Sequence, residues 1–316
     1  MKAFYATGWG GPEVMRFGDL PDPAPGKGQI RVAVQAASIN PVDWKLRGGM
    51  ARLIPGQRFP RPFGTDFSGV VEALGPGATG LAVGDRVYGI VVTMFGQAGS
   101  HAERVVVAAD RVRRMPEGLE FVAAASLPVA ALTALNGLRL AGHRSGLRVL
   151  VNGATGGVGH FAVQMARARG ATVTAVCSAK NAERARALGA AKTIDYGAED
   201  FTSGSDRYDF VFDAHASVGF GRAAAVLAPG GAYASTIPSP GLWLREELSA
   251  LLPLGRGFVA NMRGEPEDYA ELERLLASGA VRPIVEHVFP LAEGAKGFAL
   301  AEAGGVVGKV VLDIGK

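Results

Sequence analysis

The chain has 316 residues, 48% apolar and 20% charged, enough for roughly two domains with separate cores and too apolar for a disordered protein. Lys and Arg outnumber Asp and Glu by only 33 to 29, a net charge of +4 that offers little of the field a nucleic-acid binder uses. The single cysteine, Cys177, excludes an intramolecular disulfide and a Cys-rich zinc site.

The opening "MKAFYATGWGG" has no long apolar core, so no secretion signal is expected and the protein is expected to be cytoplasmic. "QIRVAVQAASI" and "GVVEAL" read as strands, and "GPGATGLAVGDRV" supplies turn residues, so the first 121 residues read as β-structure. Arg111, Arg113 and Arg114 lack interleaved aromatics and read as a solvated face rather than a nucleic-acid patch. The longest apolar stretch, Phe121 to Leu135, is broken by Ser126 and Pro128 and is too short to span a bilayer.

Beyond Pro128, strands and helices alternate. "RVLVNG", "TVTAVCS", "KTIDY", "YDFVFDA" and "GAYASTI" read as strands, while "GVGHFAVQMARARG", "KNAERARALGA" and "FGRAAAVLA" read as helices between them. That alternation implies a parallel, doubly wound sheet. "EPEDYAELERLLASG" reads as a late helix, after which "RPIVEHVFPL" and "GKVVLDI" return to strand patterning. Cys177 ends a strand-like run and reads as a packed thiol.

The stretch "VLVNGATGGVGHF", residues 149–161, joins a predicted strand to a predicted helix through four glycines. In that place glycines let the backbone approach a pyrophosphate, and the helix start supplies free N–H groups and positive potential. Two spacings fit: Ala154, Gly156 and Gly159 as G/A-x-G-x-x-G, or Gly153, Gly157 and Gly159 as the G-x-x-x-G-x-G of short-chain dehydrogenases. The second fails, because short-chain enzymes use a Tyr-x-x-x-Lys pair and none of the six tyrosines has a lysine four residues on; Tyr196, for example, reaches Asp200.

"AASINPVDWKLR", "FGTDFSGVVEALGPG", "GDRVYG", "LPVAALTALNGL", "NGATGGVG" and "GKVVLDI" together resemble the medium-chain dehydrogenase/reductases, in their zinc-independent quinone oxidoreductase (zeta-crystallin-like) branch. The resemblance implies an α/β chain: a GroES-like β-barrel domain from residues 1–121 and 281–316, and a Rossmann domain from 122–280 inserted between them. Alcohol dehydrogenases of this superfamily hold a catalytic zinc with Cys and His, where this chain has Asn40 and Gly64-Thr65-Asp66. Neither an amide nor a hydroxyl is a competent primary ligand for zinc, so no metal is expected. His143 and His287 show no ligand spacing and read as surface or satisfied residues.

The resemblance also distributes the cofactor contacts. Ala154, Gly156, Gly157, Val158 and Gly159 fall in the phosphate cradle. Nicotinamide-adenine dinucleotide folds place an acid about 20 positions past the glycines for the ribose 2′-hydroxyl, but here no acid precedes Glu183. Ser178 and Lys180 stand there instead, and Tyr196 follows the third strand, the pattern of related NADPH-dependent reductases. By family position Thr133 lies by the nicotinamide, His215 and Thr236 near the ribose and pyrophosphate, and Phe258 and Val259 about the carboxamide. Lys309 of the last strand approaches the nicotinamide too.

Without a Lewis-acid metal the favoured hydride acceptor is a quinone or an activated α,β-unsaturated carbonyl, in which charge is delocalised. Asn40 and Thr65 are expected to donate to its carbonyl oxygen, with Asp43 orienting them, contacting the ribose, or capping a turn after Pro41. Quinone reduction is the favoured activity and double-bond reduction of enones or enals the alternative. A non-catalytic NADPH-binding protein, structural or associated with nucleic acid, is the competing class; the mild charge and the retained polar trio argue against it. The family implies a homodimer, with "LWLREELSALLPLGRGFV" as the contact segment.

Overall fold

The computed structural model describes residues 1–142, 144–239, 241–242, 256–260 and 264–315. It divides into two compact units, Met1–Val129 with Pro283–Lys316, and Ala130–Arg282.

In the first unit β1 (Lys2–Ala6), β2 (Met15–Asp19), β3 (Gln29–Ser38), β4 (Arg61–Pro62), β5 (Asp66–Leu74), β6 (Arg86–Ile90), β7 (Arg104–Ala108) and β8 (Val112–Arg114) form the β-structure expected from period-two patterning. Ile30, Val32 and Val34 of β3 point inward and pack on Phe67, Val71, Val87, Val105 and Val107. From Ala36 onward both faces of β3 are buried, which forces the polar residues at its end to find partners inside the protein. A helix, α1 (Pro41–Arg47), follows at once, where the sequence reading placed only a turn. Asn40 at its N-cap, Pro41 at N1 and an acid at N3 form a helix-start pattern, and Asp43 Oδ2 accepts the Asn40 N–H at 2.8 Å. A short helix, α2 (Phe121–Ala125), packs Ala125 against Ala36 of β3, so this unit runs past the composition break at residue 121.

The helix α3 (Pro128–Arg139) leads into the second unit. There β9 (Arg148–Asn152), β10 (Thr172–Cys177), β11 (Lys192–Asp195), β12 (Tyr208–Asp213), β13 (Leu227–Ser235) and β14 (Arg256–Val259) make a sheet of order β11-β10-β9-β12-β13-β14. Every neighbouring pair is parallel, the arrangement of a doubly wound Rossmann sheet. The helix α4 (Gly159–Ala168) buries every residue from Gly159 to Ala166, and α5 (Ala182–Leu188) ends at Gly189 in the left-handed region, φ 112°. The expected helix "FGRAAAVLA" is cut to Phe220–Ala223 and a 3-10 turn over Ala224–Val226. The loss is at its far end, where β13 already begins at Leu227.

The chain then returns to the first unit with β15 (Val285–Pro290) and β16 (Lys309–Asp313), which complete a sheet ordered β15-β16-β3-β5-β6-β8 with β7 also on β3. Among the described residues no helix is long and apolar enough to cross a membrane. The segment expected to carry a dimer contact lies largely outside the described residues, as does His143; His287 is half-exposed beside Glu286.

Candidate active site and nucleotide cradle

The polar residues at the end of β3 and the start of β5 converge with the first residue of β16. Asp66 is fully buried; its Oδ2 accepts from Ser38 Oγ at 2.7 Å and Asn40 Nδ2 at 2.8 Å, and its Oδ1 from the Val129 N–H at 2.8 Å. Lys309 Nζ lies 3.8 Å from Asp66 Oδ2 and donates to Asn40 Oδ1 and the Ile39 carbonyl. Thr65 Oγ1 donates to Asp43 Oδ1 at 2.9 Å. So the structure brings Asn40, Asp43, Thr65 and Lys309 together, but the hydrogens of Asn40 and Thr65 point inward at carboxylates rather than toward a substrate.

Electrostatics follow from burial. Loss of water raises Asp43 to about 7, helped by the Asp66 carboxylate and opposed by the Asn40 and Thr65 hydrogen bonds and by Lys309. Burial likewise pushes Asp66 up and Lys309 down, each countered by attraction to the other. His101, buried against Phe298 with ring centroids 5.4 Å apart, is pushed down to about 4 and sits neutral at 3.3 Å from the Ser38 carbonyl. Sequence reasoning did not single out Ser38, Asp66 or His101. The available signal was an acid, Asp66, opening a strand that runs into the apolar stretch "GVV".

In the second unit the expected cofactor residues line the carboxyl ends of consecutive strands, where dinucleotides bind such sheets. The glycine turn follows β9, Ser178 follows β10, Tyr196 follows β11, His215 follows β12, Thr236 follows β13, and Phe258 and Val259 end β14. Gly153 (φ 75°) sits so close to His215 that an added Cβ would lie 2.9 Å from the His215 Cβ. A Cβ on Gly159 would lie 2.0 Å from the Gly153 carbonyl oxygen. Ala154 is fully buried, whereas Gly156, Gly157 and Val158 are half-buried, and among the described residues the Gly157 and Val158 amides meet no carbonyl. Amides without a carbonyl partner at a helix start suit a phosphate.

Lys180 is exposed, Ser178 half-buried, and Tyr196 is 63% exposed beside Cys177. Asp195 Oδ1 accepts from the Ala179 and Gly197 amides and ties these loops together. Thr133 is buried one turn before Gly137 of α3, and Gly137 packs on Phe212 and Ala260. Cys177 is buried, and desolvation holds its thiol above the usual range.

The donor set does not fit zinc. Asn40 Oδ1 is held by an ammonium, Thr65 is a hydroxyl, and the oxygens of Asp43 and Asp66 already accept hydrogen bonds. Among the described residues no three His, Cys, Asp or Glu side chains gather as a metal site.

Residues 26–117 match the alcohol dehydrogenase GroES-like domain and residues 188–312 the zinc-binding dehydrogenase domain. The chain is 35% identical to the 2-methylene-furan-3-one reductase of Solanum lycopersicum, over 99% of this chain and 79% of that protein. It is 29% identical to the chloroplast envelope quinone oxidoreductase homolog of Arabidopsis thaliana, over 98% and 97%. The solved quinone oxidoreductase from Coxiella burnetii superposes with a TM-score of 0.90 at 33% identity, covering 99% of each chain. Sequence motifs, parallel strand order and these relatives converge: the chain belongs to the medium-chain dehydrogenase/reductase family of oxidoreductases.

Proposed function

We propose that this protein is a zinc-independent reductase that transfers hydride from NADPH to a quinone, with enones and enals as alternative acceptors. The observation that carries the reading is the buried Asn40–Asp43–Thr65–Asp66–Lys309 cluster, which gathers an amide, a hydroxyl and an ammonium about two carboxylates, without thiolate or imidazole ligands. Bound NADPH supplies the hydride. The chain's own residues hold the nucleotide through the Gly157 and Val158 amides, with Ser178, Lys180 and Tyr196 at the 2′-phosphate end. Thr65 offers the oxyanion a hydroxyl. A quinone oxidoreductase and a methylene-furanone reductase among the relatives keep both acceptor classes open. The reading includes a homodimer in the cytoplasm.

Steady-state oxidation of NADPH with a small panel of quinones and enals tests the reading. Turnover with at least one acceptor is expected, unchanged by a metal chelator. No turnover with any, or loss on chelation, counts against it. Cofactor choice gives a second test. Two charge-assisted contacts of about 1.5–3 kcal/mol each favour NADPH over NADH by roughly a hundredfold or more. Lys180→Ala is expected to remove much of that ratio, and equal affinities in the parent would refute the assignment.

A further inference from the structure

Thr65 has a single hydroxyl proton, and it lies on Asp43 Oδ1 at 2.9 Å. Asn40 is equally committed: Nδ2 donates to Asp66 Oδ2 at 2.8 Å and Ser38 Oγ at 3.4 Å, and Oδ1 accepts from Lys309. While Asp43 is ionised, neither side chain has a hydrogen left for a substrate oxygen. A proton on Asp43 Oδ1 reverses the contact: the carboxyl then donates to Thr65 Oγ1, and the Thr65 O–H is released to point elsewhere. Thr65 is 6% exposed against 0% for Asp43 and Asp66, 2% for Asn40 and 4% for Lys309, so it is the member best placed to meet a ligand.

We propose that Asp43 and Thr65 form a two-step proton relay in which Thr65 protonates the reduced substrate and Asp43 refills it. This rests on the quinone or enone reductase reading above, since hydride addition to either acceptor leaves an oxyanion. The Thr65 Oγ–H bond breaks as the substrate O–H bond forms. The Asp43 Oδ1–H bond breaks as the Thr65 hydroxyl is restored, leaving a carboxylate. One proton per turnover returns from water, and no reductant beyond the hydride donor is required.

The surroundings hold Asp43 near the protonation boundary. Burial, then the Asp66 carboxylate from β5, raise its carboxyl to about 7, while hydrogen bonds and Lys309 from β16 pull it down. His101 is neutral, Lys45 and Arg47 lie on α1 itself, and Arg47 pairs with Glu302 at 2.9 Å. A raised carboxyl pKa means that the proton is lost as pH rises through about 7, so the relay fails on the alkaline side.

The test compares pH profiles of kcat. The parent is expected to show an alkaline limb with its midpoint near Asp43's value of about 7. In Asp43→Asn the amide oxygen still accepts the Asn40 N–H, and its NH2 donates permanently to Thr65. That limb should vanish, with the plateau lowered about a hundredfold or more because an amide cannot refill the hydroxyl. Thr65→Ser should keep the limb. Carbon-13 NMR of the aspartate carboxyls in cofactor-free protein provides a reading independent of turnover, with one buried carboxyl titrating near neutrality and missing in Asp43→Asn. A limb that persists in Asp43→Asn, or an Asp43 already ionised at about pH 5, overturns the relay. A parent that reduces neither acceptor defeats the reductase reading instead, and the carboxyl titration then judges the Asp43–Thr65 pair by itself.

Discussion

Replacing Lys309 with methionine is expected to destabilise the first unit by about 3–5 kcal/mol, the cost of removing one partner from a buried ion pair. The ammonium is 4% exposed and stands 3.8 Å from the fully buried Asp66. Without it Asp66 keeps three hydrogen bonds, from Ser38, Asn40 and the Val129 amide, but no counter-charge, and Asn40 Oδ1 loses its donor. The uncompensated carboxylate then takes up a proton more readily than before. A folded-state pKa raised above the unfolded value makes stability fall with rising pH, so the loss should be larger at about pH 8 than at about pH 5. Adding Asp66→Asn should return most of it, because the pair then leaves as a unit. Urea unfolding of the single and double variants at both pH values is the measurement. A loss below about 1 kcal/mol at pH 8 would place the pair among weak surface bridges.

Gly159→Ala is expected to weaken NADPH binding a hundredfold or more and to cost about 1–3 kcal/mol of stability. The new Cβ would sit 2.0 Å from the Gly153 carbonyl oxygen, 2.8 Å from its carbon and 2.9 Å from the Ala154 carbonyl carbon. These are backbone atoms and cannot swing aside, so the turn must lift away from the start of α4. Gly156→Ala is the informative partner: its Cβ meets nothing closer than the Gly153 oxygen at 3.4 Å, and stability should change by no more than about 0.5 kcal/mol. If the Gly156 backbone approaches the pyrophosphate, that variant loses affinity at full stability. Thermal melts with and without NADPH, read beside equilibrium binding, separate the two roles. Unchanged affinity in both variants would remove the cradle from this turn.

Local patterning foretold most of the fold. Strand-like runs between Gly/Pro turns gave β3 and the second half of β5, and strands alternating with helices gave β9, β10 and β12, because strand runs and helix stops are written in neighbouring residues. The helix over Pro41–Arg47 was signalled by Asn40-Pro41 and Asp43 yet read as a turn, since a seven-residue helix has too few apolar positions to show a period. Asn40, Asp43 and Thr65 were recognisable as a polar group, but not the direction of their hydrogens. The Thr65 hydroxyl turns to Asp43, while the Asn40 amide is oriented by Asp66, which faces it only after β5 pairs with β3, and by Lys309, which lies 269 residues from Asn40 along the chain. Sequence spacing carries no information about which of two nearby polar groups claims a proton.

The place of β16 has a consequence in time. It pairs with β3 on one side and β15 on the other, yet it is made after the whole of the second unit. Synthesis at about 5–20 residues per second puts roughly 13–54 s between Asn40 and Lys309. Through that interval the Ala36–Ser38 end of β3, which β7 does not cover, lies open to a foreign strand, and Asp66 has no ammonium to accompany it out of water. β16 is thus the clasp of the first unit, and a pause in translation before it prolongs the exposure of that short stretch.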